Sequence, residues 1–394
     1  MRLNLMNGRG AAGLVVLGLL GSVACGQDFV DRANAMYADI EQDQRSDLVL
    51  LPVLAKMDAP PQGVETVEKA ALQPATSSPV WREAERWAEG EPQRAALAAL
   101  DTVTSESDYR YAMAFGLPYG VEALVDEPGG IDIVSANLHV DLDVGGTPLL
   151  AGADFRYFSG IERLMCLVEV EATRLAAEGD VARALDVLGD GVFLARQLAD
   201  RGFAQEMAYG IHLMDALLER MRDVVYVDLR GDRHLSDHPE ALAGVIDRLG
   251  ERTREGTAGY LGVERLRFPT LNRLGAEQLA RHVLLPSRSA RSNADRGWAN
   301  PDTFVRTLAF LTSRGHPMML MSQWPRWEQA MGEFQVPQES VLLRIEAIED
   351  EYEGRWRLRD PHAPLMSQQT VYEQLVASGS PSLTLIRITM GPLV

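Results

Sequence analysis

Three residues with metal-ligand side chains alternate along one short segment. His139, Asp141 and Asp143 stand two positions apart between apolar residues, just before a Gly-Gly pair. Strict alternation predicts a β-strand, and a strand directs positions two apart to the same face. One imidazole and two carboxylates on one face could hold a divalent metal, with further ligands from elsewhere. The alternation also predicts a half-buried strand whose outer face is merely polar; this structural interpretation is favoured, and the metal site is the alternative.

A second candidate site combines methionine with tryptophan. Trp324 and Trp327 follow a methionine-rich stretch at residues 318–321. Adaptable methionine side chains beside aromatic anchors are typical of partner-binding surfaces, which makes the two tryptophans a candidate partner surface. The same composition fills irregular space between packed helices, and the sequence favours that structural role.

Motifs of the common catalytic classes are absent from the sequence. It contains no Gly-x-Ser-x-Gly elbow, no phosphate loop ending in Lys-Ser or Lys-Thr and no His-Glu-x-x-His. It also contains no dinucleotide fingerprint between a strand and a helix. No catalytic residue is therefore assigned, a non-enzymatic role is favoured, and no cofactor is predicted apart from the divalent metal of the alternative hypothesis.

The charge balance argues against one class of partner. The chain has 38 Lys and Arg residues against 56 Asp and Glu residues, a formal net charge of −18. Such a field repels phosphate backbones, so we expect no nucleic-acid partner.

The N-terminal residues have the order of a secretory signal. Arg2 and Arg9 come first, an apolar run follows at residues 11–20, and residues 21–24 are small. A basic start, a short apolar segment and small residues before the cut predict that residues 1–24 are a signal peptide. We therefore expect an exported protein, either periplasmic or extracellular.

Cys25 directly follows the predicted cleavage site. Its position resembles that of the lipid-bearing cysteine of bacterial lipoproteins, although Ser22 stands where those signals usually have a Leu-like residue. Ordinary cleavage is the favoured prediction and lipidation of Cys25 the alternative, which would be the chain's one contact with a membrane. Cys166 lies in an apolar helical pattern and is predicted to pack as a small hydrophobic residue.

The elements that must position these residues are mostly helical. Apolar residues recur at every third or fourth position over residues 155–225, a spacing that predicts amphipathic helices. Gly179-Asp180 ends the first helix and Arg201-Gly202 ends the second. Because the intervening turns are short, three successive helices must pack antiparallel to their neighbours.

The sequence thus predicts a mainly α protein, built of antiparallel helical hairpins or an array, with a small β element. The predicted divisions are residues 1–24 (signal peptide), 25–79 (N-terminal segment and linkers), 80–230 (helical core, with a short strand near 138–144) and 231–394 (C-terminal helical region). Alternation at residues 383–388 predicts a strand at the end of the last division.

Part of the helical core resembles known helical proteins. The relevant positions are Ala172, Leu175, Gly179-Asp180-Val181, Ala184-Leu185 and Leu188. With this pattern, residues 171–195 are similar to one helical hairpin of tetratricopeptide repeats. The wider segment 155–221, with its run at residues 194–200, resembles uncharacterised exported α-helical proteins of planctomycete-type bacteria. The resemblance implies antiparallel helical hairpins and brings no activity with it.

Two functional hypotheses follow from these patterns. The first is a non-catalytic exported scaffold or protein-binding helical protein of the cell envelope, with an envelope protein as its partner. The alternative is a metal-dependent, hydrolase-like enzyme that uses His139, Asp141 and Asp143. They differ in whether those three side chains share a concave pocket with a further ligand.

Overall fold

A computed structural model describes most of the N-terminal two thirds of the chain. The described residues are 29–104, 113–120, 136–141, 147–230 and 269–282, with single positions at 243, 325, 343, 346, 347 and 350. Helices contain 72% of these residues, and one two-stranded sheet accompanies them, which confirms the predicted mainly α class with a small β element.

The described elements follow one another in this order. They are α1 (residues 29–34), 3-10 turns at Ala35–Tyr37 and Gln42–Gln44, α2 (Ser46–Leu54), α3 (Val67–Ala71), α4 (Pro79–Ala88), α5 (Glu91–Thr104), β1 (Ala136–Asp141), β2 (Thr147–Phe155), α6 (Tyr157–Glu178), α7 (Val181–Ala199), α8 (Ala204–Arg230) and α9 (Leu271–His282). Among them, no helix has the length and apolar character needed to cross a membrane.

The chain divides into two compact units. The mixed unit comprises Met1–Met36, Leu138–Asp154 and Thr270–Val394, and the helical unit comprises Tyr37–Asn137 and Phe155–Pro269. Each unit therefore draws on segments that are distant in sequence.

In the mixed unit, helix α9 packs on strand β2. Gln278 of α9 is fully buried and its side-chain oxygen accepts a hydrogen bond from the Leu150 amide at 2.8 Å. A Cβ atom at Gly275 would lie 3.3 Å from the Ala151 nitrogen, so the helix and the strand backbone approach closely there. The Gln278 side-chain oxygen thus provides an acceptor for a buried backbone donor of the strand.

In the helical unit, the turn between α6 and α7 has the geometry that its sequence predicts. Gly179 ends α6 with a φ of 87°, in the left-handed region that glycine adopts without steric cost. Asp180 begins α7, and its carboxylate accepts a hydrogen bond from the Arg183 amide at 3.3 Å. The predicted Gly-Asp turn and helix cap are thus confirmed.

Two glycines let the long helices of the helical unit approach closely. A Cβ atom at Gly210 of α8 would lie 2.4 Å from the Ala199 nitrogen and 2.6 Å from the Ala195 oxygen, both on α7. At Gly191 of α7 a Cβ atom would instead meet the ends of two side chains, one on α6 and one on α8. Helix α7 therefore lies between α6 and α8, with its backbone nearest to that of α8.

Shorter helices complete the helical unit and have conventional starts. Ser78 caps α4 by accepting a hydrogen bond from the Trp81 amide at 3.1 Å, and Pro79 occupies the first turn. Trp81 is buried, with 3% of its surface exposed. Thr66 caps α3 in the same way, through the Lys69 amide.

Candidate functional site

The residues predicted to bind a metal are only partly described. His139 and Asp141 lie in strand β1, as their alternation predicts, whereas Asp143 lies outside the described residues. Within the described part of the chain, no group of three or more His, Cys, Asp or Glu residues is arranged to hold a metal ion. The divalent metal site therefore stays a prediction.

The other predicted sites also lie outside the described residues. They are the signal peptide at residues 1–24, Cys25, the pair Trp324 and Trp327, and the strand at residues 383–388.

A buried polar cluster of the helical unit is centred on an ion pair that joins the α7–α8 turn to α8. The Arg201 Nε donates to Glu206 Oε1 at 2.9 Å, and the two side chains are 1% and 0% exposed. The Arg201 Nη2 also donates to the Leu117 carbonyl oxygen at 2.7 Å. We call the set Tyr37, Phe115, Tyr119, Tyr157, Arg201 and Glu206 the Arg201 cluster.

The Glu206 carboxylate is saturated by donors from the protein itself. Besides Arg201, Oε1 accepts a hydrogen bond from the Tyr157 hydroxyl at 2.5 Å. Oε2 accepts from the Tyr119 hydroxyl at 2.5 Å and from the Phe203 amide at 3.2 Å. An ionised carboxylate offers about four acceptor positions, and these donors fill them.

Aromatic rings surround the guanidinium group of Arg201. Its central carbon lies 4.2 Å from the ring centre of Tyr37, 4.7 Å from that of Tyr119 and 5.5 Å from that of Phe115. The Nη1 atom has no hydrogen-bond partner. The negative faces of aromatic rings attract a cation within about 6 Å, which partly offsets the loss of water around this group.

Burial keeps the tyrosines of the Arg201 cluster in their protonated form. It raises the pKa of Tyr119 and of Tyr157 well above the ordinary value, and the charge of Glu206 raises both further. The hydroxyl groups therefore remain hydrogen-bond donors throughout the physiological pH range. A protonated, buried phenol is a poor base or nucleophile, so this chemistry favours a structural role.

Sequence reasoning did not find the Arg201 cluster. Its one local signal is Glu206 in the first turn of α8, where it accepts from the Phe203 amide as the glutamate of a capping box does. Tyr37, Tyr119 and Tyr157 belong to three separate segments, and no spacing rule connects them to that helix start.

Residue types of nucleophilic catalysis also occur elsewhere in the helical unit. His212 Nε2 lies 2.9 Å from Glu68 Oε1, and both side chains are about half exposed. Cys166 is fully buried, and burial followed by the charge of Glu162 raises the pKa of its thiol. The thiolate that attacks a substrate is therefore disfavoured, and Cys166 packs as a small hydrophobic residue, as predicted.

In the same region, a carboxylate connects three helices of the helical unit. Glu162 of α6 accepts from the Tyr209 hydroxyl of α8 at 2.8 Å and from the Val67 amide of α3 at 3.1 Å. These contacts also use protein groups as partners and stabilise the packing of α3 on α6 and α8.

Comparison with known proteins assigns no relatives. No family model, curated protein or solved structure matches the chain.

Proposed function

We propose that the protein is a non-catalytic helical scaffold that is exported to the cell envelope and binds a protein partner there. The observation that carries the proposal is the saturation of Glu206. Its carboxylate accepts hydrogen bonds from Arg201, Tyr157, Tyr119 and the Phe203 amide, which leaves no acceptor position for a substrate.

The positions of the residues of the Arg201 cluster support a structural role for it. Tyr37 follows α1, Tyr119 lies in the segment 113–120, Tyr157 begins α6, and Arg201 precedes α8. One ion pair and its ring of tyrosines thus fix four segments of the helical unit in a single arrangement. A rigid set of packed helices presents broad surfaces to a partner and needs no catalytic residue.

The proposed location depends on the N-terminal sequence. The basic start, apolar run and small residues of segment 1–24 are the pattern that directs export. We propose ordinary cleavage before Cys25, with a lipid anchor on Cys25 as the alternative. The metal-dependent hydrolase remains the second hypothesis for function, on the residues His139, Asp141 and Asp143.

Metal analysis of the purified protein distinguishes the two hypotheses. The wild type and an Asp141→Ala, Asp143→Ala double variant are dialysed against equal concentrations of zinc, manganese and magnesium, and their metal content is measured. A scaffold predicts the same content in both proteins. Stoichiometric metal in the wild type that the double variant loses would instead support the enzyme and overturn the proposal.

Partner capture tests whether the protein binds a protein partner in the cell envelope. The wild type, the Asp141→Ala, Asp143→Ala double variant and a Gly210→Ala variant are crosslinked to the envelope fraction of the producing cells. We expect the first two to capture the same protein and Gly210→Ala, whose α7–α8 packing is disturbed, to capture less. Loss of capture in the double variant alone, or capture by none of the three, would contradict a scaffold role.

A further inference from the structure

Glu169, in the middle of α6, is a buried carboxyl group without hydrogen bonds. Its side chain is 0% exposed, and neither Oε1 nor Oε2 has a hydrogen-bond partner. Glu206 in the same unit is equally buried and accepts four hydrogen bonds. An ionised carboxylate that is shielded from water and accepts no hydrogen bond is strongly disfavoured. The burial of Glu169 therefore requires a different explanation from the burial of Glu206.

Among the described residues, the cation that lies against Glu169 is Arg220 of α8, which is oriented toward another group. Its Nε lies 3.4 Å from Glu169 Oε2 without a hydrogen-bond geometry, whereas its Nη2 donates to the Thr173 hydroxyl. That hydroxyl donates in turn to the backbone carbonyl oxygen of Glu169 at 2.8 Å. The guanidinium therefore contacts α6 through Thr173 rather than through a forked pair with the carboxylate.

Within the described part of the chain, two charged groups act on the Glu169 carboxyl, and both lie on α8. Arg220 favours the ionised form, and Asp223, one turn further along, opposes it. Three nearby carboxylates have partners elsewhere: Asp190 of α7 bonds Thr104 of α5, Glu68 of α3 bonds His212, and Glu162, on α6 like Glu169, bonds Tyr209. On α6 itself, the Cys166 thiol one turn earlier is within electrostatic range of Glu169.

We propose that Glu169 is a proton-controlled contact between α6 and the C-terminal half of α8. When the Glu169 carboxyl is protonated and uncharged, the two helices pack as observed, with Arg220 hydrogen-bonded to the Thr173 hydroxyl. Loss of the proton creates a buried carboxylate beside Asp223, draws Arg220 away from Thr173 and loosens the C-terminal half of α8. This inference is independent of the scaffold role and would hold for an enzyme as well.

The electrostatics of the site agree with this arrangement. Burial raises the pKa of Glu169 to about 8, with Arg220 acting against the shift and Asp223 adding to it. The ordinary value is 4.5, so between about pH 4.5 and 8 the folded protein holds a proton on Glu169 that the unfolded chain has released. The contact therefore stabilises the fold fully below pH 4.5, and this stabilisation is lost progressively as the pH rises from 4.5 through 8.

The first test detects the proton directly. Infrared difference spectra are recorded for the wild type, E169Q and the matched control E171Q. Glu171 lies two positions after Glu169 on α6 and is paired with Arg174. At pH 6 we expect the carbonyl band of a protonated carboxyl in the wild type and E171Q, but not in E169Q. The band should disappear as the pH is raised from 6 to 10. Absence of the band from the wild type at pH 6 would overturn the proposal.

The second test measures the consequence for the fold. Denaturant unfolding of the wild type and E171Q should become easier between pH 5 and 8, with the unfolding constant rising about tenfold per pH unit relative to E169Q. Amide exchange in the C-terminal half of α8, corrected for intrinsic rates, should quicken above pH 8 in the same two proteins. Parallel behaviour of E169Q and the wild type in both measurements would contradict the proposal. Should E169Q fail to fold, the wild-type band and its pH dependence decide alone.

Discussion

Arg201 and Glu206 form a salt bridge that is closed to solvent, with side chains 1% and 0% exposed and 2.9 Å between Nε and Oε1. Removing one partner of such a pair leaves the other as an uncompensated buried charge, which is far more costly than the pair itself.

Glu206→Gln is expected to lower the free energy of unfolding by about 3–5 kcal/mol, because Arg201 then lacks a counter-charge in a dry site. An Arg201→Met, Glu206→Leu double variant should be less destabilised than the single variant, since no charge remains buried. Unfolding in guanidinium chloride, monitored by circular dichroism, measures the stability of both variants.

Arg222→Ala serves as the control, because its partners Glu219 and Asp223 are mostly exposed and we expect no measurable change. Equal effects of Glu206→Gln and Arg222→Ala would show that the buried pair is not structural.

Gly210→Ala and Gly191→Ala should differ although both glycines lie in long helices. The added methyl at position 210 meets backbone atoms of α7 at 2.4 and 2.6 Å, and backbone cannot move aside without separating the helices. We expect Gly210→Ala to lower the free energy of unfolding by about 3 kcal/mol or more. At position 191 the nearest atom is Leu217 Cδ1 at 3.0 Å, which can rotate, and alanine gains about 1 kcal/mol of helix propensity. Thermal unfolding of the two variants tests this order, and a greater loss at Gly191 would contradict it.

The α6–α7 turn provides two further substitutions with separate causes. Gly179→Ala places a Cβ atom on a residue with a φ of 87°, and we expect it to lower the free energy of unfolding by about 1–2 kcal/mol. Asp180→Ala removes the acceptor for the Arg183 amide and should cost about 1 kcal/mol, whereas Asp180→Asn should retain most of the cap. Denaturant midpoints measure all three. If Asp180→Asn and Asp180→Ala were equally destabilised, the hydrogen bond to the Arg183 amide would not account for the stabilising effect of Asp180.

Intact mass of the exported chain tests the N-terminal predictions. We expect residues 1–24 to be absent and the new amino terminus at Cys25 to be free of lipid. An added acyl mass that disappears in Cys25→Ser would favour the lipoprotein alternative. Recovery of the chain from the cytoplasm with Met1 attached would contradict export itself.

The helices of the helical unit were predictable because their signals are local. Apolar spacing over residues 155–225 predicted α6, α7 and α8, and Gly179 with Asp180 predicted the turn between the first two. Each of these signals depends on residues within one or two helical turns, so neighbouring positions in the sequence contain all the information required.

The Arg201 cluster could not be predicted in the same way. Tyr37 and Tyr119 are 82 positions apart, and Tyr119 and Glu206 are 87 apart, yet their oxygens lie 3.3 and 2.5 Å from each other. Periodicity reports which face of a helix is apolar but not which distant segment will cover it. That choice follows from the packing of all the helices together.

The sequence by itself determined the mainly helical class, the small β element near His139 and the position of the Gly-Asp turn, because backbone preferences and side-chain periodicity act over a few residues. Only the tertiary structure decided that Glu206 is satisfied while Glu169, another glutamate in a helix of the same unit, is buried without a hydrogen bond. The two residues differ physically in the donors that remote segments bring to them, and that difference is created by folding.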